Sequence, residues 1–330
     1  MQLTLVAPDL LAAARGAPAR AGALARLARY APAPVAVPEG LDPALLAAAG
    51  GTEETPVAPF AALGAGFDPG TAYVLRADPV AFVAGRDDVL IEGRVDDLAA
   101  GDAAAMIATL NAHFADDGLA FHAPRADAWF VTVAGAARPR TTSLARVRGA
   151  IHPHLPQGEH ARPWRRWLSE MQMLLHEHPA NAARGAQGRS PVTGIWVAEG
   201  GVLAPIRSAR KLRVHASAGR AGDVARGIAF AAGRAASPAP ADFAALSANE
   251  DALVVLPPPA SERDLQRLAD VWLAPAIAAL ERGVLSQFML VADAGSAAWT
   301  WTAATPPFAL RLRARWSPRP FVAPEQDATA

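Results

Sequence analysis

The densest group of chemically capable side chains lies in one stretch, WRRWLSEMQMLLHEHPANAARGAQGRSPVTGIW, at residues 164–196. Imidazoles there could ligate a metal ion, and guanidinium groups could hold an anion in a fork of hydrogen bonds. His176 and His178 are two residues apart, and on a helix such neighbours point about 200° away from each other. One metal ion cannot take both. Gln172 and His176 have the helical spacing of four, but we expect no metal site in this stretch.

An anion site is the other chemical interpretation of the same stretch. Arginine can hold a phosphate or carboxylate through two parallel hydrogen bonds, and two arginines here lie in a turn-rich segment with glycines. The pattern predicts a site for a phosphorylated or carboxylated small molecule, built from His176, His178, Asn181, Arg184 and Arg189. The alternative is structural, with the arginines capping carbonyl groups and pairing with Glu170 or Glu177.

Two further stretches carry weaker signals. TGIWVAEGGVLAP predicts a buried strand that runs into a glycine turn, and ligands of open α/β sheets gather at the carboxyl ends of strands. Glu199, Gly200 and Gly201 are therefore additional candidates for ligand binding. IHPHLPQGEH, at residues 151–160, contains three histidines, but its prolines make a rigid loop the simpler interpretation.

The elements that must position these side chains follow from hydrophobic periodicity. A helix is expected from Pro163 to about His178, with one apolar stripe formed by Trp164, Trp167, Leu168, Met171, Leu174 and Leu175. Short strands are expected at Tyr73 to Leu75 and at Val89 to Ile91, with DPVAF between them. A later helix has Ser261 as its N-cap and Gly283 past its end.

Strands and helices alternate along the whole chain, which favours an α/β fold with a mostly parallel central sheet and helices on both faces. At 330 residues, the chain is expected to form a single elaborated domain. Its subregions would be an N-terminal strand and loop-rich segment at 1–70, a strand and helix insert at 71–160, and a central sheet with C-terminal strands at 161–330.

Composition excludes several classes of function. The 31 basic and 31 acidic residues balance, so the broad positive field that nucleic-acid binding needs is not expected. Cysteine is absent, which removes thiolate catalysis and cysteine-ligated metals. No stretch approaches the roughly 20 apolar residues of a membrane span, and the N-terminus does not have the pattern of a signal peptide. A cytoplasmic protein without a membrane or nucleic-acid partner is expected.

The order of several motifs resembles the RpfE-type regulatory protein family of bacteria. The motifs are DPVAFVAGRDDVLIEG, LNAHF, LPQG, WRRWLSEMQMLLHEHPANAARGAQG and IWVAEGG, and the resemblance spans roughly residues 70 to 205. Ala198 and Glu199 stand where that family has a tryptophan and a glycine-rich turn. Members are often labelled cofactor-independent phosphoglycerate mutase, so the resemblance implies a degenerate scaffold similar to archaeal-type mutases of the alkaline phosphatase superfamily.

The residues that such a mutase needs are incompletely represented. These enzymes transfer phosphate through a serine or threonine alkoxide beside two divalent metals, which take Asp and His ligands partly from the second half of the chain. No histidine follows His215, and in FMLVADAGS Asp293 is followed by Ala294. Thr55 offers a hydroxyl near the expected nucleophile, and Asp9 follows the first strand. Asp9, Thr55 and Asp293 are thus relic candidates rather than a catalytic set.

The sequence therefore predicts a non-catalytic regulatory or small-molecule-binding protein on a mutase-like scaffold, with no metal and no cofactor. One alternative is a phosphoglycerate mutase or phosphatase whose altered ligands come from Asp9, Thr55, Asp293 and the histidines at 152, 154, 176 and 178. Another is a structural role with a protein partner, based on the aromatic C-terminal segment that contains Trp299, Trp301 and Trp316.

Overall fold

A computed structural model describes residues 1–16, 22–31, 33–86, 88–135, 138–247, 249–295 and 297–305. The strands are β1 (Gln2–Ala7), β2 (Val35–Val37), β3 (Tyr73–Ala84), β4 (Val89–Arg94), β5 (Leu119–Arg125), β6 (Ala128–Val133), β7 (Gly194–Gly201), β8 (Leu212–Ala216), β9 (Ser237–Pro238), β10 (Asp251–Val255), β11 (Gln287–Asp293) and β12 (Ala298–Ala304). The helices are α1 (Leu10–Gly16), α2 (Gly22–Leu27), α3 (Leu41–Ala48), α4 (Ala58–Ala65), α5 (Ala100–Phe114), α6 (Ala161–His176), α7 (Pro179–Ala186), α8 (Arg220–Ala231), α9 (Glu262–Leu268) and α10 (Ala274–Glu281).

The chain divides into two compact units. The first unit contains Met1–Thr55 and the described residues from Pro205 onward, and the second unit contains Pro56–Ala204. Each unit has its own sheet and its own hydrophobic core.

The first unit contains a seven-stranded sheet in the order β2-β12-β11-β1-β10-β8-β9. Its central strands are parallel, because β1 pairs in parallel with β10 and β11, and β10 with β8. The edge formed by β12 and β2 is antiparallel. Helices cover both faces, with α1, α2, α9 and α10 packed on one and α3 and α8 on the other.

Alternation along β1 shows why both faces are covered. Leu3 and Leu5 belong to the core on one face, and Val6, whose side chain lies on the opposite face, is also completely buried. A parallel strand with apolar residues on both sides must be covered by helices on both sides. The expectation of helices on both faces is confirmed for this sheet.

The second unit contains an antiparallel sheet in the order β4-β3-β6-β5, with β7 paired to the other edge of β3. The prediction of a mostly parallel architecture is therefore wrong, because parallel pairing among the described strands is confined to the first unit. Hydrophobic periodicity identifies buried strands but does not encode the direction of a partner strand. Helices α5 and α6 share a core with one face of this sheet.

One predicted strand boundary in the second unit is wrong. A strand break at DPVAF was expected, but β3 continues through this segment as one 12-residue strand. Pro79 has no N–H to donate, yet its carbonyl oxygen accepts the N–H of Val95 at 2.9 Å and the strand continues in register opposite Ile195. The helix predicted from Pro163 to His178 is confirmed as α6, two residues longer at its start and two shorter at its end.

The predicted role of the C-terminal aromatic residues in binding a partner does not agree with their position in the first unit. Trp299 and Trp301 were grouped in an aromatic segment that could bind a partner, but they lie on β12 and are 4% and 3% exposed. They pair with Ala292 and Leu290 of β11 and fill the core of this unit. Trp316 lies outside the described residues.

Ser261 is confirmed as an N-cap, because its hydroxyl accepts the N–H of Asp264.

Candidate functional site

Two of the three relic candidates converge at the carboxyl ends of neighbouring parallel strands in the first unit. Ala7, the last residue of β1, lies opposite Ala292 of β11, so the segment after β1 emerges beside Asp293, the last residue of β11. The N–H of Asp9 donates a hydrogen bond of 2.7 Å to Oδ1 of Asp293, and the N–H of Gly295 donates one of 3.2 Å to Oδ2. The carboxyl end of an open parallel sheet is where such folds bind ligands.

The backbone at Asp9 adds a second indication. Asp9 has a φ of 56°, which places a non-glycine residue in the left-handed region. Aspartate and asparagine tolerate this region better than most residues, but it still costs energy and recurs at functional sites. The residue whose N–H donates to the Asp293 carboxylate is thus also one with a left-handed backbone conformation.

The electrostatics of Asp293 are strongly perturbed. Asp293 is only 8% exposed, and burial, which penalises the charged carboxylate, is the largest cause that raises its pKa from 3.8 to about 6. The negative charges of Asp9 and Asp42 raise the pKa further, whereas the hydrogen bonds from the N–H groups of Asp9 and Gly295 lower it. A positive charge placed beside this carboxylate would therefore be strongly favoured.

Asp42 and Arg220 complete the charged surroundings of the pair. Asp42, at the start of α3, is 9% exposed, and its Oδ2 lies 4.0 Å from Nε of Arg220 at the start of α8. Both helices pack on the same face of the parallel sheet. The group therefore combines three acidic side chains with one guanidinium, all contributed by the first unit.

Thr55, the third relic candidate, is held in a local turn. Its hydroxyl oxygen accepts the N–H of Thr52 at 2.8 Å and lies 3.3 Å from the Thr52 hydroxyl. The structure thus joins Asp9 directly to Asp293, while the hydrogen bonds recorded for Thr55 connect it to Thr52. In the described parts of the chain, no three histidine, aspartate or glutamate side chains are arranged so as to hold a metal ion by themselves.

The histidines named from the sequence lie in the second unit. His152 and His154 form a short 3₁₀ turn, and Nε2 of His154 lies 3.3 Å from the carbonyl oxygen of Arg148. His160 precedes α6 and His176 ends it. His178 is the N-cap of α7, where its Nδ1 accepts the N–H of Ala180 at 3.2 Å.

Both the nitrogen and the oxygen of the Asn181 side-chain amide form hydrogen bonds. Its Nδ2 donates to the carbonyl oxygens of Leu175 and Val192, at 2.6 and 2.7 Å, and its Oδ1 accepts the Val192 N–H at 2.9 Å. The residue is 8% exposed. Asn181 therefore ties the end of α6 to the segment that enters β7, and its amide donors are already used within the protein.

The two arginines expected to bind an anion both meet Asp97. Arg184 is 2% exposed; its Nη2 donates to Oδ1 of Asp97 at 2.5 Å, and its Nε donates to the carbonyl oxygen of Ser190 at 2.9 Å. Arg189 lies 3.9 Å from the other carboxylate oxygen of Asp97 and is about half exposed. Of the structural alternative, the capping of a carbonyl group is found for Arg184, whereas the acidic partner of both arginines is Asp97 rather than Glu170 or Glu177.

The two arginines lower the pKa of Asp97. The hydrogen bond from Arg184 is the main cause that holds the pKa of Asp97 below its usual value, and the positive charges of Arg184 and Arg189 act in the same direction. Asp97 carries no signal in the sequence that marks it as their partner. It precedes Arg184 by 87 residues, so only the fold reveals the pairing.

Glu199, Gly200 and Gly201 were expected in a turn at the carboxyl end of a parallel strand. They lie instead within β7, which is antiparallel to β3, and the pairing register shifts between Val74 and Arg76. Glu199 has a φ of 63°, and its carboxylate accepts a hydrogen bond of 2.8 Å from Nε of Arg76. The irregular register explains why a strand residue adopts a left-handed conformation.

The glycines after Glu199 permit close packing rather than a turn. A Cβ at Gly200 would lie 2.6 Å from both the Tyr73 hydroxyl and Cδ2 of Leu75, and a Cβ at Gly201 would lie 2.3 Å from Cβ of Pro56. Neither glycine leaves room for a side chain. Both therefore serve the packing of β7, and their presence in the sequence does not require a ligand.

Comparisons with known proteins find structural likeness only. No protein-family model and no curated protein matches the chain. A cofactor-independent phosphoglycerate mutase from Thermoplasma acidophilum is similar with a TM-score of 0.44 and 15% identity, over 93% of this chain and 90% of that chain. The PH0037 protein from Pyrococcus horikoshii is similar with a TM-score of 0.47 and 14% identity, over 92% and 87% of the two chains. Likeness of this degree does not identify an activity.

No helix in the described residues is long and apolar enough to cross a bilayer. The expectation that the chain does not span a membrane by a helix is consistent with this finding.

Proposed function

We propose that this protein is a regulatory small-molecule-binding protein of the cytoplasm whose ligand is bound at Asp9 and Asp293. The observation that carries the proposal is the hydrogen bond from the Asp9 N–H to the buried Asp293 carboxylate at the carboxyl ends of β1 and β11, where the Asp9 charge also acts on Asp293. The ligand is a phosphorylated or carboxylated small molecule that binds together with Mg²⁺. The resemblance of residues 70 to 205 to RpfE-type regulatory proteins supports a regulatory rather than metabolic role.

The role of Mg²⁺ follows from the charges around Asp293. An anion alone would be repelled by Asp9, Asp42 and Asp293, whereas Mg²⁺ commonly binds one or two carboxylates together with ligand phosphates. Such a site is completed by its ligand and does not need three protein side chains preassembled around the ion. Arg220, 4.0 Å from Asp42, supplies a positive group for the ligand's remaining charge. This proposal departs from the expectation of a metal-free protein.

The same geometry favours one other function, a phosphatase or mutase with altered ligands. Acidic side chains at adjacent strand ends are what metal-dependent phosphoryl transfer requires. Two-metal mutases also use histidine ligands, and the five histidines at 152, 154, 160, 176 and 178 belong to the second unit. His215 of β8 directs its Nδ1 toward the carbonyl oxygen of Pro238, at 3.4 Å. Within the first unit, the hydrogen bond of His215 is thus to Pro238 and not to Asp9 or Asp293, which favours binding over phosphoryl transfer.

The test is the thermal stability of the full chain with MgCl₂ alone, 3-phosphoglycerate alone and both together. A ligand present at 100 times its Kd stabilises the folded state by about 2.7 kcal/mol, so a specific complex produces a clear rise in melting temperature. We expect the largest rise with both components present. Asp9→Asn should remove most of that rise, whereas Asp270→Asn, at an exposed position of the same unit, should retain it.

Conversion of 3-phosphoglycerate to 2-phosphoglycerate is measured in the same samples. Binding without conversion supports the proposed function. Conversion that depends on Asp9 would replace it with the enzyme function. A melting temperature unchanged by all three additions would eliminate both.

A further inference from the structure

A cavity of about 430 Å³ opens beside the carboxyl end of β10 in the first unit. The strand ends at Val255, and the N–H of Leu256 still donates to the carbonyl oxygen of Val6 at 2.9 Å. Three consecutive prolines follow, and because proline has no N–H they end the hydrogen-bonded ladder abruptly. The space beyond the strand is bounded by this proline segment on one side and by α9 on the other.

Most of the cavity wall is apolar. Leu256, Leu268 and Trp272 are 3%, 6% and 4% exposed, and each of them lines the cavity. Val271 and Pro258 extend the apolar wall. A volume of this size lies within the roughly 300 to 1,000 Å³ of typical small-molecule sites, which are largely apolar with a few polar groups.

The turn that follows α9 shapes this wall. Ala269–Leu273 is a π-helical turn between α9 and α10, and it presents Val271 and Trp272 to the cavity. Pro275, in the first turn of α10, has no N–H for the carbonyl group four residues earlier, which accounts for the widened turn. Single π-helical turns inside α-helices recur at functional sites.

Two residues that line the cavity carry hydrogen-bond donors without a partner within the described residues. The guanidinium of Arg267 makes neither an ion pair nor a side-chain hydrogen bond there, and neither does the indole N–H of Trp272. Asp264, the acidic residue that also lines the cavity, already accepts the Ser261 hydroxyl at 2.7 Å. The cavity is thus mainly apolar, and its lining residues include one arginine and one tryptophan whose donors have no partner within the described residues.

We propose that this cavity binds a small organic anion with an apolar body, such as an aryl or alkyl carboxylate. The apolar body packs against Leu268, Val271 and Trp272, and the carboxylate accepts hydrogen bonds from Arg267. A hydrogen bond to a charged group contributes about 1.5 to 3 kcal/mol, which corresponds to at least a tenfold gain in affinity. This site uses no metal ion and is independent of the Asp9 and Asp293 pair.

The test is a titration of the ¹⁵N-labelled full chain with 3-phenylpropionate, indole-3-acetate and hexanoate, each paired with its neutral amide. The indole N–H resonance of Trp272, assigned through Trp272→Phe, reports on the cavity directly. We expect at least one carboxylate to shift this resonance in a saturable manner, with roughly tenfold weaker binding of its amide.

Arg263 provides the matched control, because it lies one turn earlier on α9 and does not line the cavity. Arg267→Gln should weaken carboxylate binding by roughly tenfold, and Arg263→Gln should change it by less than about twofold. Both positions are exposed, so neither substitution is expected to impair folding.

Three results would overturn the inference. They are the absence of a saturable shift with all three carboxylates, equal affinity for acids and amides, or equal weakening by the two arginine substitutions. Because no step involves Mg²⁺ or a phosphate, failure here leaves the proposed function of Asp9 and Asp293 intact, and the reverse also holds.

Discussion

Replacing Asp293 with asparagine should make the first unit more stable at pH 8 and nearly unchanged in stability at pH 4. The folded protein raises the pKa of this carboxyl from 3.8 to about 6, chiefly through burial. Between these values the folded state holds more protons than the unfolded state, so stability falls as the pH rises. This loss of stability, caused by ionisation of the buried Asp293, begins at about pH 4 and is complete above about pH 7.

The magnitude follows from the size of this shift. A pKa difference of about two units lowers the unfolding free energy by about 3 kcal/mol once Asp293 is ionised, and about 2.5 kcal/mol of this loss develops between pH 4 and pH 8. Asparagine keeps an oxygen that can accept the Asp9 N–H, but it loses the second acceptor for the Gly295 N–H. That loss costs about 1 kcal/mol at every pH and therefore cancels when the two pH values are compared.

The assay is urea unfolding of wild-type and Asp293→Asn protein at several values between pH 4 and pH 8. Hydrogen exchange at amides of β1 and β10 assigns the transition to the first unit. Asp270→Asn controls for the loss of a carboxylate at an exposed position. Carboxyl ¹³C NMR gives the midpoint of Asp293 directly. Asp9→Asn should lower it, because it removes a nearby negative charge at a left-handed position that asparagine tolerates.

Either of two results would refute the reasoning. The first is a difference in unfolding free energy between wild type and Asp293→Asn that stays constant from pH 4 to pH 8. The second is an Asp293 titration midpoint below about 4.5, which would mean that burial and the Asp9 charge do not act on this carboxyl as described.

Three further substitutions test the second unit by urea unfolding, with hydrogen exchange at β3 amides as the local readout. Asn181→Ala should destabilise the unit by about 3 kcal/mol because it leaves buried backbone groups such as the Val192 N–H unpaired; a loss below about 1 kcal/mol would contradict this. Gly200→Ala should cost about 1 to 3 kcal/mol through overpacking, and unchanged stability would show that β7 can shift. Asp97→Asn should weaken the unit at neutral pH. The Arg184 hydrogen bond lowers the Asp97 pKa, so wild type loses this stabilisation only below about pH 4 and the variant should lack that acid-dependent step.

Local patterns in the sequence predict several elements correctly. The apolar stripe of α6 and the Ser261 N-cap of α9 depend on residues within one or two turns, and both are found as expected. Strand direction depends on partners far along the chain, which explains the wrong prediction of a mostly parallel fold. The antiparallel pairing of β3 with β7 joins residues more than 100 positions apart.

The candidate site follows the same distinction between local and distant information. Asp9 and Asp293 could be predicted as a pair, because Asp9 lies two residues after β1, Asp293 is the last residue of β11, and the ends of adjacent parallel strands lie together. The partner of Arg184 could not, since Asp97 lies in a loop without periodicity and is brought to the arginine by the packing of the second unit. Arginine and histidine in a dense polar stretch therefore indicate hydrogen-bonding capacity, and burial decides whether it serves the fold or a ligand. The guanidinium of Arg184 forms its hydrogen bonds within the fold. The guanidinium of Arg267 has no hydrogen-bond partner among the described residues and can therefore bind a ligand.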